Sequence, residues 1–202
     1  FVATRYGEYL SVTLYTGEKT ERFLFDIGIN HPYVTIRNAK IAQAFKNLIL
    51  AFNIDLVHVH HVKNLSFDIF EVAKELNVPV ILTMHDFYFV CPTLLMLDSE
   101  NNICVDCTPD CGKCLEQKLK IRYNIDYIDL WRKKVRKILN VCEKIIVPDE
   151  SAKNIIRKYY PEIETRIEVV THGYSIELNI SDKEPQNTDQ FEYRIERIDK
   201  TG

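Results

Sequence analysis

Histidines and an aspartate follow two short apolar runs of this 202-residue chain, and their chemistry is that of proton transfer and hydrogen bonding. The first run ends at His60 and His61, and the second ends at His85 and Asp86. A helix-length amphipathic segment separates the two runs. This order predicts a strand–helix–strand unit, in which the carboxyl ends of two parallel strands meet at one edge of a sheet. The four side chains are therefore candidates for a single site.

We expect these four side chains to have different roles. A neutral imidazole at His85 can orient an acceptor hydroxyl or donate to a developing charge, and the alternative is a histidine that caps a strand end. Asp86 either fixes the tautomer of that imidazole or caps the next turn. Because side chains alternate along a strand, His58 and His60 share one face and His61 points to the other. We expect one of His60 and His61 to line a cleft.

A second group of candidate ligands is formed by cysteines. Four of the six cysteines lie close together in the sequence: Cys104, Cys107, Cys111 and Cys114. Four thiolates with a proline and a glycine between them predict a structural zinc site, and two disulfide pairs or free thiols are the alternatives. Cys91 and Cys142 are interpreted as small core residues. His58 and His60 have no third metal ligand at local spacing.

The elements that must position these residues alternate between strand and helix. Periodicity predicts strands at residues 9–16, 22–27, 56–59, 78–84, 144–147 and 167–170. It predicts helices from Asn38 to Asn53, around residues 65–76, over residues 115–140, and from Asp149 or Ser151 onward. The predicted fold class is α/β, with a doubly wound, mostly parallel, Rossmann-like sheet whose first two strands could be antiparallel.

The composition argues against a protein that binds nucleic acid, spans a membrane or is secreted. Hydrophobic residues make up 46% and charged residues 27%, and a net charge of −3 gives no strong field to attract nucleic acid. The chain shows no apolar run near the ~20 residues of a membrane span and no secretory signal, so we expect a cytoplasmic protein with reduced thiols. Dinucleotide and P-loop glycine motifs do not occur, which argues against a nicotinamide dehydrogenase or a P-loop nucleotidase.

Three blocks of this sequence resemble the amino-terminal domain of glycosyltransferase family 4. They are Asp-Leu-Val-His-Val-His-His at 55–61, Thr-Met-His-Asp-Phe-Tyr-Phe-Val-Cys-Pro at 83–92, and Lys-Ile-Ile-Val-Pro at 144–148 with the later strand at 167–173. The likeness covers about residues 50–178. It implies a retaining, sugar-nucleotide-dependent enzyme of the two-domain GT-B fold, in which residues 1–178 form the acceptor-side domain and residues 179–202 a linker or tail.

The resemblance also implies a site. His85 and Asp86 are expected to be catalytic, and the expected substrate-binding residues are His60, His61, Tyr88, His172 and Gly173. The acceptor is expected to be a glycan or a lipid-linked molecule in cell-surface polysaccharide synthesis. The nucleotide-sugar donor is expected at a carboxyl-terminal domain of the same enzyme, outside this chain, so the chain alone is predicted to be inactive. The glycine-rich opening strand of the family is not recognisable here.

Two other functions are also consistent with the sequence, and one basic surface could contact a membrane. The chain could be a non-catalytic Rossmann-like binding module with a structural metal knuckle, or a metal-dependent hydrolase that uses His58, His60 and His85. Basic residues form the main charge asymmetry: Lys118, Lys120, Arg122, Arg132, Lys133, Lys134, Arg136 and Lys137. They are either a solvated helix face or a peripheral contact with anionic lipid at the inner membrane surface.

Overall fold

A three-stranded antiparallel sheet opens the chain. Its strands are β1 (Val2–Tyr6), β2 (Tyr9–Thr16) and β3 (Lys19–Asp26), in the order β1-β2-β3. Gly7 and Gly17 supply the positive φ angles of 59° and 65° in the two turns, a conformation that glycine adopts without steric cost. The apolar alternation of the sequence predicted β2 and β3 but not β1, which has no clean alternation of buried and exposed residues.

A four-stranded parallel sheet carries the second part of the fold. Its strands are β4 (Val57–Val59), β5 (Val80–Thr83), β6 (Lys144–Val147) and β7 (Ile167–Val169), in the order β4-β5-β6-β7. Each neighbouring pair is parallel. The predicted α/β class with a parallel Rossmann-like sheet is confirmed.

Helices connect and cover these strands. They are α1 (Ala39–Phe52), α2 (Asp68–Glu75), α3 (Cys111–Leu119), α4 (Tyr127–Leu139), α5 (Glu150–Tyr159) and a 3-10 helix (Pro161–Arg166). Asn38 caps α1 by accepting a hydrogen bond from the Ile41 N–H at 2.9 Å, and Asn53 ends it in the left-handed conformation. Asp149, not Ser151, caps α5 by accepting from the Ala152 N–H at 2.8 Å.

The predicted helix over residues 115–140 is wrong as a single element. Helix α3 begins earlier, at Cys111, and ends at Leu119, and α4 begins at Tyr127. Lys120 has a φ angle of 58°, which a right-handed helix cannot contain, so the chain leaves the helical path there.

The computed structural model describes residues 1–17, 19–28, 35–104, 111–120, 127–171 and 173. The chain divides into two compact units, Phe1–His172 and Gly173–Gly202. The predicted tail at residues 179–202 lies outside the described residues.

An aromatic cluster lies behind the carboxyl end of β5. The rings of Phe67, Tyr88, Phe89 and Trp131 are all buried, and Tyr88 meets Trp131 edge-on with ring centroids 5.1 Å apart. Aromatic edge-to-face pairs of this kind add to the free energy gained by burying their surface. The cluster gives the segment that follows β5 a rigid backing.

Candidate functional site

Three side chains at the end of β4 each contact a side chain that lies 25 residues later, at the end of β5. His58 Nε2 lies 2.8 Å from Thr83 Oγ1. The other two pairs are His60 with His85 and His61 with Asp86: Nδ1 to Nε2 at 2.9 Å, and Nε2 to Oδ2 at 3.0 Å. The parallel register, which places Val57 opposite Val80, fixes all three contacts at once.

His60 and His85 form a hydrogen-bonded imidazole pair at the exposed rim of the sheet. Their ring planes lie within 16° of parallel, and the ring centroids are 5.2 Å apart. A contact between two ring nitrogens needs one N–H donor and one acceptor, so the pair shares one proton across this contact. A second proton between the rings would set two donors against each other.

His61 is held in one tautomer by its neighbours. Its Nδ1 accepts a hydrogen bond from the Lys63 backbone N–H at 2.7 Å, so the ring proton must be on Nε2. Nε2 donates that proton to Asp86 Oδ2. The other carboxylate oxygen of Asp86 accepts from the Tyr88 backbone N–H at 2.8 Å. Asp86 therefore caps the turn after β5, which was one of the two roles considered for it. It also fixes the tautomer of His61, and not that of His85.

The charge on Asp86 is stabilised by these contacts. Partial burial alone would raise the pKa of its carboxyl group, but the hydrogen bonds from His61 and from the Tyr88 N–H outweigh it. The pKa of Asp86 consequently lies below its ordinary value of 3.8. Asp86 is a carboxylate at neutral pH and accepts two hydrogen bonds from groups on two strand ends.

His58 is expected to make stability fall on acidification. Partial burial lowers the pKa of His58 below 6.5, and the nearby His60 and His85 lower it further. The unfolded chain then binds the proton more readily than the folded chain, so the free energy of unfolding decreases as pH falls from 6.5 through the lowered pKa. In His58→Gln this part of the decrease should be absent. Denaturant unfolding between pH 8 and pH 5 measures both profiles.

The profiles above pH 7 serve as the internal control for this comparison, because His58 is neutral there in both states. A constant offset between the wild type and His58→Gln across the whole pH range would contradict the prediction. A gap that changes only on the acid side supports it.

A groove of about 590 Å³ runs beside the histidines of β4. His58, His60 and His61 line one end, and Lys63 lies with them, while the remaining lining is mostly apolar. We expected one of His60 and His61 to line a cleft, and both border this groove. His85 is exposed at the adjacent strand end.

The other predicted substrate-binding residues are placed differently. Tyr88 is 1% exposed, and its ring packs against the imidazole of His61 with centroids 4.9 Å apart. Its position supports His61 from behind, and direct contact of Tyr88 with a substrate stays a prediction that this burial does not favour. His172 lies outside the described residues, and Gly173, in the second unit, is exposed.

The cysteines near α3 surround a separate cavity of about 390 Å³. Cys91, Cys104, Cys111 and Cys114 line it, and Cys107 lies outside the described residues. Cys91, Cys114 and Cys142 are free thiols. Burial raises the pKa of the Cys114 thiol, and Cys91 and Cys104 add to that rise. Cys142 is a buried core residue, as predicted, and Cys91 is half-buried and packs against the core.

Metal-ligating side chains do not converge tightly in the part of the chain that the structure describes. Among these residues, no three of the His, Cys, Asp and Glu side chains stand near enough to one another to hold a metal ion as placed. The catalytic metal of the hydrolase hypothesis would require His58, His60 and His85 to converge on one ion. Nothing in the described geometry favours that hypothesis.

Several basic residues of α4 form contacts within the chain. Lys134 forms an ion pair with Glu71, and Arg136 pairs with a glutamate of the 3-10 helix at 2.7 Å. Arg132 donates to a backbone carbonyl and lies over a tyrosine ring. Arg122 lies outside the described residues. These contacts favour a structural surface, and a membrane contact stays an unsupported prediction.

No helix in the described residues combines the length and the apolar character that crossing a bilayer requires.

A parallel sheet with polar residues at its carboxyl edge defines a Rossmann-like domain of the kind found in GT-B proteins. The family model described as Glycosyltransferase Family 4 matches residues 11–178, and the chain belongs to that family. The comparison with curated proteins finds no match. The chain therefore carries a glycosyltransferase-type domain, as its three sequence blocks indicated.

Proposed function

We propose that this chain is the acceptor-side domain of a retaining glycosyltransferase, which transfers a sugar from a nucleotide-sugar donor to a glycan or lipid-linked acceptor. The observation that carries the proposal is the His60–His85 pair at the rim of two adjacent parallel strands, in a member of this family. Open α/β sheets bind their ligands at this edge. The proposed setting is cell-surface polysaccharide synthesis on the cytoplasmic side.

In the proposed reaction, the bond from the anomeric carbon to the donor phosphate breaks, and a bond from the same carbon to the acceptor oxygen forms on the same face. The acceptor hydroxyl gives its proton to the leaving phosphate, so no enzymatic nucleophile is required. His85 hydrogen bonds to the reacting sugar or acceptor and orients it. A fixed hydrogen-bond donor is most effective where charge develops in the transition state.

The neighbouring residues hold this imidazole in place. His60 is hydrogen bonded to His85, and Asp86 anchors the chain directly after it through His61 and the Tyr88 N–H. The aromatic cluster beneath this turn limits its movement. His60, His61 and Asp86 are therefore proposed as positioning residues, and the groove beside His60 as the entry for the acceptor.

The donor requires a second domain in this proposal. We expect residues 1–202 alone to release no nucleoside diphosphate from UDP-, GDP- or ADP-linked hexoses. The longer protein from the same reading frame should transfer sugar and keep the anomeric configuration of the donor. Nucleoside diphosphate release and the NMR coupling constant of the anomeric proton measure these two results.

Three outcomes would contradict the proposal. Turnover by residues 1–202 in isolation would show that the chain is a complete enzyme. Inversion at the anomeric carbon would refute the retaining reaction. A longer protein that binds a glycan acceptor but turns over no donor would favour the non-catalytic binding module.

A further inference from the structure

Thr83 is a buried polar residue at the carboxyl end of β5. It is 7% exposed, and its backbone pairs with Ile146 of β6. A buried hydroxyl group needs a hydrogen-bond partner, because leaving it without one costs free energy. The partner of Thr83 is His58, whose Nε2 lies 2.8 Å from Oγ1. A residue that is fixed between neighbouring strands therefore holds the His58 imidazole.

The His58 imidazole lies in turn against the imidazole of His60. The two residues are two positions apart, a spacing that puts side chains on the same face of a strand. Their ring centroids are 4.2 Å apart, and the ring planes meet at 34°. At this distance the rings pack against each other, so the position of His58 limits how the His60 ring can rotate.

The rotation of His60 decides whether its hydrogen bond with His85 forms. Nδ1 of His60 and Nε2 of His85 are 2.9 Å apart. Hydrogen bonds depend strongly on direction, and an imidazole N–H lies in the plane of its ring. A turn of the His60 ring out of its present plane would therefore break the contact, even with both histidines still in place.

The two cross-strand contacts are successive steps along the same pair of strands. His58 contacts Thr83 and His60 contacts His85, each across an offset of 25 residues. The parallel register of β4 and β5, with His58 opposite Ile81, fixes this offset. The stacked rings of His58 and His60 join the two steps. A continuous series of contacts thus runs from a buried hydroxyl group to the exposed histidine pair.

We propose that Thr83 and His58 are positioning residues for the His60–His85 pair. The Thr83 hydroxyl fixes the His58 ring, and the His58 ring fixes the plane from which His60 reaches His85. Neither residue has to touch a substrate to do this. The positioning is a property of this chain alone, and its consequence for sugar transfer rests on the proposed function.

Nitrogen-15 NMR of the purified chain at pH 8 tests the positioning directly. A proton shared by two ring nitrogens produces a scalar coupling between them, so we expect a coupling between Nδ1 of His60 and Nε2 of His85. Thr83→Val keeps the shape of the side chain but removes the hydroxyl, and it should abolish the coupling. Thr83→Ser keeps the hydroxyl and should retain it. Thr13→Val makes the same change in β2 and is the matched control, with the coupling unchanged.

The coupling is also where the proposal can fail. A coupling that persists in Thr83→Val would overturn it, and so would a coupling that is lost in Thr83→Ser, because the hydroxyl would then not be what holds the ring. No coupling in the wild type would overturn it as well. If Thr83→Val does not fold, His58→Ala takes its place, since it removes the ring between Thr83 and His60. Undiminished coupling in His58→Ala would contradict the proposal.

Kinetics of the longer protein separates this proposal from the proposed function. Thr83→Val should lower kcat by about 10- to 100-fold, because a misplacement of about 1 Å can cost about 10²-fold in rate. KM should change little, since Thr83 is not one of the described residues that line the groove. Thr83→Ser should restore kcat. A longer protein that transfers no sugar, or a kcat unchanged where the coupling is lost, would contradict the proposed function and leave the positioning intact.

Discussion

Replacing His85 with glutamine is expected to lower kcat of the proposed two-domain enzyme by about 10²–10³-fold, the usual cost of removing one fixed hydrogen-bond donor to the transition state. Glutamine can still hydrogen bond to His60 in place of Nε2, but its amide puts no donor at the position of the second ring nitrogen, Nδ1. Since His85 is exposed, the free energy of unfolding should change little. Initial-rate kinetics and denaturant unfolding of the same preparation measure the two quantities.

A double variant tests whether His60 and His85 act together or independently. If His60 acts through His85, then His60→Gln combined with His85→Gln should be no slower than His85→Gln alone, because residues that act as a unit are not additive. Lys137→Gln, on the exposed face of α4, is the surface control and should leave kcat unchanged. A kcat within about threefold of wild type in His85→Gln would remove His85 from the mechanism, because the loss of a fixed donor to the transition state costs far more.

The strand ends of this site were predictable because they depend on local chemistry. Each apolar run stops where polar side chains begin, and the structure ends β4 and β5 within two residues of His60 and His85. The caps at Asn38 and Asp149 were equally visible, since a side-chain acceptor before an apolar period satisfies the first N–H groups of a helix.

The pairing of the site residues was not predictable, because it depends on the register between β4 and β5. A shift of one residue would have turned every side chain of β4 to the other face of the sheet. Asp86 was therefore expected beside His85, whereas the register brings it to His61. The cavity that Cys91 and Cys104 both line was not predictable either, because it depends on the path of the loop between them.

Asp86→Asn should destabilise the chain by about 1–3 kcal/mol, the cost of leaving a partly buried polar group without its hydrogen bond. The substitution keeps shape but replaces one carboxylate oxygen with an NH₂ group. Both oxygens of Asp86 accept, one from His61 and one from the Tyr88 N–H. His61 cannot change tautomer to help, because its Nδ1 already accepts from the Lys63 N–H. Denaturant unfolding at pH 7 measures the loss.

Asp98→Asn is the matched control, because one oxygen of Asp98 accepts from both the Glu100 and Asn102 N–H groups, and the other accepts only the longer bond from Asn102 Nδ2 at 3.3 Å. One amide oxygen can replace it, so this variant should lose less stability than Asp86→Asn.

The pH dependence of stability gives a second test of the role of Asp86. Because the pKa of Asp86 is lowered, its stabilising contribution is complete above 3.8 and is lost as pH falls through the lowered value. A gap between wild type and Asp86→Asn that persists undiminished in strong acid would show that packing, and not the carboxylate, causes the loss.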